Sequence, residues 1–355
     1  MIKNFRANCL PVLIGSLPIN NHSEAIKLVY KYTPEIPLWV QLPVFKEEGM
    51  LAQFMPGMPG LTIENDKSFI DTAGNNFDNE LVSFYEDYMA VTEGVTDLLS
   101  SRFALTTDTA AGFFELIKQT KTLSNPLVAV KGQITGPITF CTGVNDQNGR
   151  AVFYNNQIRD AAVKLLAMKS KWQARQLSQF KCPVIIFFDE PAIAGFGSSA
   201  FISISRDEIL KCFEETFEAV HSEGGLVGIH VCANADWSLV LESSADIVSF
   251  DAYSFFDRFI LYSEQIKRFM NSGRILAWGI VPTSNSEDIK RETTDSLVSK
   301  WENKAGQIEL LGIDRSKILT QSLITPSCGT GSLKIEHAIK VLELTKEVSR
   351  RLRKK

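Results

Sequence analysis

Pro183-Val-Ile-Ile-Phe-Phe-Asp-Glu-Pro191 is the stretch that decides the fold. Its apolar run is unbroken from Val184 to Phe188, which suits a strand covered on both faces, as strands of parallel sheets are. It stops on two acids and a proline, so polar groups are delivered where the strand ends. Seven further runs read as strands: Val12–Pro18, Leu38–Leu42, Pro126–Gly132, Leu226–Val231, Ile247–Phe250, Ile275–Gly279 and Ile318–Ser322. Helical patterns separate most of them. They run from an Asn20–Glu24 cap to Tyr32, over Asn79–Glu93 and Asp108–Thr120, and from Asp146 or Asn148 to Phe180. Others cover Arg206–Ser222, Ala235–Glu242, Phe256–Met270, Ser286–Glu309 and Ser332–Arg351. Phe45–Leu61, with Met55-Pro-Gly-Met-Pro-Gly60, has no sustained period and reads as a long loop or lid. Regular β–α alternation predicts a parallel sheet, and eight repeats predict a single-domain α/β protein, a (β/α)8 TIM barrel over residues 1–355. A doubly wound open sheet is the alternative.

The 355 residues are 45% hydrophobic and 22% charged, an ordinary globular balance. A net charge of −4, from 37 basic and 41 acidic residues, gives no pull toward nucleic acid or an anionic membrane. The basic run Arg350–Lys355 suits the end of a C-terminal helix. No stretch reaches the roughly 20 apolar residues of a membrane span, and Met1–Gly15 has no long apolar core of a signal peptide. Six scattered cysteines without a paired framework fit the reducing cytoplasm, where thiols stay available to metal.

Gly228-Ile-His-Val-Cys-Ala-Asn234 sets His230 and Cys232 two residues apart at a strand end. On an extended chain both project from one side, so both can reach one ion. Pro326-Ser-Cys-Gly-Thr-Gly331 puts Cys328 among turn residues, and Ala245-Asp-Ile-Val-Ser-Phe-Asp251 ends on a carboxylate. Ser16, Gln41, Gln133, Asp189 and Glu190 lie at other strand ends, and a barrel gathers all of these on one face. Taken singly, each has a structural explanation. Cys141, Cys182 and Cys212 read as small hydrophobes, and Asp236 or Asp251 as helix caps. Jointly, two thiolates and an imidazole suit zinc, with Asp251 as an oxygen neighbour. Three firm ligands and an exchangeable fourth position make a catalytic pattern. A free thiol has a pKa of about 8.5, whereas zinc deprotonates a bound thiol outright. Two cysteine ligands already donate charge, so the site favours alkyl transfer to sulfur over hydrolysis.

Six segments occur in order: Ile14-Gly-Ser-Leu-Pro18, Lys131-Gly-Gln-Ile-Thr-Gly-Pro137, Asp189-Glu-Pro-Ala192, His230-Val-Cys232, Ala245–Asp251 and Pro326-Ser-Cys-Gly329. In this ordered set the chain resembles the cobalamin-independent methionine synthase family, specifically its C-terminal catalytic barrel. More distantly it resembles the uroporphyrinogen decarboxylase-like superfamily. The resemblance covers nearly the whole chain. It implies that His230, Cys232 and Cys328 ligate zinc and that Asp251 stands where the family carries a glutamate ligand. It implies that Ile14, Gly15 and Ser16 hold the carboxylate of homocysteine and that Asp189 binds its ammonium. Glu190 and Gln133, at neighbouring strand ends, complete the expected substrate-binding set.

Three departures narrow the expectation. The additional N-terminal barrel of the long synthases has no counterpart here. Their catalytic histidine after the seventh strand has none in Trp278-Gly-Ile-Val-Pro-Thr-Ser284. Their glutamate after the second strand falls near Val44, with Glu47 and Glu48 beside it. Methyl-tetrahydrofolate needs protonation by a placed acid, whereas a methyl-corrinoid does not. The expected enzyme is a short methyltransferase that moves a methyl group from a corrinoid protein to zinc-bound homocysteine, giving methionine. Another small thiol is the second choice of acceptor, and Phe54–Gly60 is the expected surface for the donor. The competing readings are a methyltransferase for a coenzyme thiol, a tetrapyrrole decarboxylase, and a non-catalytic corrinoid- or zinc-binding module. Against the decarboxylase stands a strand-end region with one basic residue, Lys131. His22, His221 and His337 read as loop or helix surface.

Overall fold

The computed structural model describes residues 5–65, 67–122, 126–197 and 203–354. Its strands are β1 (Leu10–Pro11), β2 (Leu61–Glu64), β3 (Lys67–Ile70), β4 (Val130–Thr135), β5 (Val184–Asp189), β6 (Leu226–Val231), β7 (Ile247–Phe250), β8 (Ile275–Val281) and β9 (Ser322–Pro326). β2 and β3 form a separate antiparallel hairpin. The other seven make one curled parallel sheet in the order β1-β9-β8-β7-β6-β5-β4. The order never reverses, so the sheet lacks the switch point of a doubly wound fold. Helices α1 (His22–Tyr32), α2 (Phe77–Thr92), α3 (Thr107–Thr120), α4 (Pro137–Gly143), α5 (Asn156–Leu177), α6 (Arg206–His221), α7 (Trp237–Glu242), α8 (Phe256–Phe259), α9 (Ser263–Asn271), α10 (Ser286–Arg291), α11 (Thr294–Glu309), α12 (Arg315–Thr320) and α13 (Ile335–Leu352) complete the chain. No helix among the described residues is long and apolar enough to cross a membrane.

Several starts follow from capping chemistry. The Asn21 side chain accepts from Glu24 N and opens α1, and Ser205 with Glu208 forms a capping box for α6. Other boundaries differ from the sequence reading. Asp146 does not open the long helix: its carboxylate accepts from Asn148 N and Arg150 N in a turn, and α5 begins after Asn155. Ser286–Glu309 is two helices, because Thr293 and Ser296 form a second capping box that restarts the chain. Ile318 belongs to α12, and the strand expected at Ile318–Ser322 starts only at Ser322. Within Phe45–Leu61 lie two short 3-10 turns, and the sequence reading did not include the short hairpin that follows.

Leu38–Leu42, expected as an eighth strand, forms isolated bridges instead. Leu38 pairs in parallel with Lys131 on β4, and Gln41 pairs in parallel with Ser16 beyond β1. Lys131 N donates to Pro37 O at 2.9 Å, and Gln41 N donates to Gly15 O at 3.1 Å. Pro37 and Pro43 bound the segment and have no N–H to extend a ladder. The Trp39 carbonyl is taken by the Gln133 side chain at 2.7 Å.

Strand side chains alternate between faces, and one face carries its own core. Leu10, Val12, Ile36, Ala129, Ile185, Phe187, Leu226, Ile247, Ile275, Ala277 and Leu323 pack into a single buried cluster. Stepping two residues along the same faces leads from Ala129 to Lys131 and Gln133, and from Phe187 to Asp189. It leads likewise from Leu226 through Gly228 to His230, and from Ile247 to Ser249 and Asp251. The apolar layer is thus continued by a polar one at the C-terminal ends of the strands, where open and closed parallel sheets carry their sites.

Candidate metal centre

β6 presents His230 at its inner face, and the chain leaves the strand at Cys232. Cys328 reaches the same point from the turn after β9. The ligand atoms of His230, Cys232 and Cys328 all lie within 4.8 Å of one another, and they form the one such group among the described residues. His230 is buried, and its Nδ1 lies 2.9 Å from Ser249 Oγ on the adjacent strand. Its Nε2 is buried without a hydrogen-bond partner. Such an arrangement fixes the ring and leaves one lone pair for a metal.

The two thiols differ from every other cysteine. Hydrogen bonding with Cys328, then with His230, holds Cys232 far below the usual thiol range, and the same pairing pushes Cys328 up. The pair therefore shares one easily lost proton, and a cation placed between the sulfurs would displace the second. Burial raises Cys9 and Cys212 to about 12 and Cys182 to about 11, and holds Cys141 well above its ordinary value. One imidazole and two thiols this close together are a donor set that could hold a metal ion.

Asp251 lies outside this group of three. It is buried, its Oδ1 accepts from Ser254 N at 2.8 Å, and burial raises its carboxyl. Asp189 pairs with His230 in the β5–β6 register. Its Oδ1 is buried and partnerless, and burial raises its carboxyl against the pull of His230 and Lys131. Glu190 turns to the other side. Its oxygens accept from Ile138 N, Thr139 N and Thr139 Oγ1 at 2.7–2.9 Å, clamping the first turn of α4. Burial raises it to about 7 against those bonds, and a Cβ on Gly136 would stand 2.2 Å from its carboxyl carbon. Both carboxylate oxygens thus hold the start of α4.

Ile14, Gly15 and Ser16 lie beside the turn that carries Cys328. A cavity of about 10 Å³ separates Ile14–Leu17 from Cys328 and Gly329. Ser16 Oγ accepts from Gly331 N at 3.1 Å, and a Cβ on Gly329 would lie 2.2 Å from that oxygen, so the turn after Cys328 needs glycine. Gln133 Nε2 donates to Trp39 O, and its Oε1 accepts from Lys131 Nζ at 3.1 Å, so it braces the interior.

The sequence reading missed three partners. Ser249, the polar residue of β7, meets His230 only through strand register. Lys131 reaches across to the Ile14 carbonyl at 2.6 Å. His22, read as surface, lies 2.5 Å from the buried Glu48, whose other oxygen accepts from Leu42 N at 2.7 Å. Phe54, Met55 and Met58 of the loop expected to receive the donor are buried, whereas Val44, Phe45 and Met50 are exposed. No protein-family model matches the chain, and no curated protein matches it.

Proposed function

We propose that the chain is a zinc-dependent methyltransferase acting on a small thiol, homocysteine first, in a single-domain (β/α)8 barrel closed through the bridges that Leu38–Leu42 makes to β4 and to Ser16. One observation carries the function: an imidazole and two thiols converge at two strand ends, with His230 Nε2 buried and partnerless. The bridges at Leu38 and Gln41 support the closed ring, as does the core that Val12, Ile36 and Ala129 share with the strands.

His230, Cys232 and Cys328 would hold the ion, with Asp251 as a neighbouring oxygen. A zinc ion there would keep an incoming thiol deprotonated at neutral pH. Ser249 orients the imidazole by engaging Nδ1. Gly15 and Ser16 offer backbone N–H groups to the acceptor's carboxylate, and Asp189 offers its free oxygen to the ammonium. In the transfer the S–C bond forms as the methyl group's bond to its donor breaks, the electron pair staying with the donor. A methylated corrinoid protein fits better as that donor than methyl-tetrahydrofolate. The turn that follows β8 has no histidine up to Ser284, and its Thr283 Oγ1 is tied to Ser327 Oγ at 2.9 Å, so that turn offers no acid to a folate nitrogen. Six free cysteines suit a reducing compartment such as the cytoplasm.

The test is to incubate the purified chain, with its zinc content measured, with homocysteine and either methylcobalamin or methyl-tetrahydrofolate. Methionine should form with methylcobalamin. Methionine from the folate alone would overturn the donor, and protein that neither retains zinc nor methylates a thiol would overturn the reading.

A further inference from the structure

Among the described residues two lysines and no arginine are fully buried, and only Lys131 lies on a strand. A buried ammonium is an expensive group to keep, normally matched by a carboxylate. Lys131 has neutral partners instead: Ile14 O at 2.6 Å, Gln133 Oε1 at 3.1 Å and the face of Phe187 at 4.7 Å. Burial pulls it down to about 7, with Asp189 acting the other way. Asp189 in turn keeps a buried oxygen without a partner. The interior therefore holds an amine and a carboxyl that share no hydrogen bond, beside the candidate metal centre.

The contact to Ile14 has a geometric consequence. A trans peptide is planar, and its C=O and N–H point in opposite directions. Tying the Ile14 carbonyl to Lys131 therefore fixes the Gly15 N–H facing away from the lysine. Gly15 O is fixed in the same manner by Gln41 N, which sets the Ser16 N–H. Neither N–H donates a hydrogen bond to another described residue. Two adjacent N–H groups without a protein acceptor, with a lysine amine on the carbonyl side of the first, are donors that an anion can use.

We propose that Lys131 makes the acceptor site selective for thiols that carry an α-carboxylate, by fixing the Ile14-Gly15-Ser16 backbone and placing its buried amine behind it. It is a positioning residue, and with Asp189 it matches the two charges of an α-amino acid. This rests on the thiol-methyltransferase reading and deepens it.

The experiment titrates the zinc-loaded full chain with homocysteine and with 3-aminopropane-1-thiol, its counterpart without the carboxylate, by calorimetry. The wild type should bind homocysteine roughly ten- to a hundredfold more tightly. Lys131→Met should bring that ratio close to one while leaving zinc content and 3-aminopropane-1-thiol binding unchanged. Lys131→Gln, which can still donate to Ile14 O, should lose most of the preference. Equal weakening of both thiols in the variants would mean a merely structural lysine and overturn the inference. A wild type with no preference would overturn it without any variant, so the inference survives a misfolded Lys131→Met only if that preference is present. A wild type that binds zinc but neither thiol would sink the methyltransferase reading and the inference with it.

Discussion

The two ends of one parallel sheet are built by opposite rules. At the N-terminal end Ile185, Leu226, Ile247, Ile275 and Leu323 meet as a dry layer. At the C-terminal end Lys131, Gln133, Asp189, His230 and Ser249 are buried as deeply, yet all are polar. Asp189, His230 and Thr325 even leave a buried polar atom without a partner. Each such atom costs about 1–3 kcal/mol, so a chain shaped for stability alone would have continued the apolar layer. The contrast sets three open polar atoms at the C-terminal end, where a ligand can meet them; two others among the described residues, Trp237 Nε1 and Trp301 Nε1, lie on α7 and α11.

That contrast can be broken at either end. The largest effect is expected from Cys328→Ser. It removes one of three ligands, and the loss of zinc affinity should exceed the 10–100-fold typical of a lost supporting contact. Metal analysis after dialysis would read this as near-complete loss, and full retention of zinc would end the site assignment. Ile185→Ala should do the reverse. It opens a void in the dry layer worth about 2–5 kcal/mol in urea unfolding, while zinc per folded chain stays unchanged. A parallel fall in zinc affinity would mean that the two ends are not separable.

The smallest effect lies at the lower end, where His221 Nε2 lies 2.8 Å from Asp246 Oδ2, which also accepts from Val227 N. The bond to Asp246 raises the His221 pKa against burial. The stabilisation is therefore complete below the unfolded value of about 6.5 and fades as pH rises through the higher folded value. The imidazole is partly exposed, so the contribution should stay below about 1 kcal/mol. Urea midpoints should decline over that range, and Asp246→Asn should flatten the decline.

How much of this was legible depended on whether a feature was local. β6 and β7 have the bounds read from their apolar runs, since burial on both faces is written in consecutive residues. His230, Cys232 and Cys328 could be grouped because spacing and turn context put each at a strand end, and the structure does bring them together. Leu38–Leu42 looked equally strand-like, but its flanking prolines lack the N–H groups that would extend a ladder, and the Gln133 side chain takes the Trp39 carbonyl. The role of Ser249 and the reach of Lys131 depend on cross-strand register, which one strand's sequence does not encode. Glu190 and Asp251 carried the right chemistry, but backbone N–H groups engage them.

Asp189 and Glu190 are neighbours in the chain, yet one faces the sheet interior with an open oxygen and the other grips α4 with both. Side chains along a strand alternate, so a slip of β5 by one residue would exchange them. The grip on α4 would be lost, and a fully engaged carboxylate would be traded for an idle one inside the sheet. The acid pair therefore works as a lock on strand register: the helix clamp outside holds the open oxygen in alignment inside.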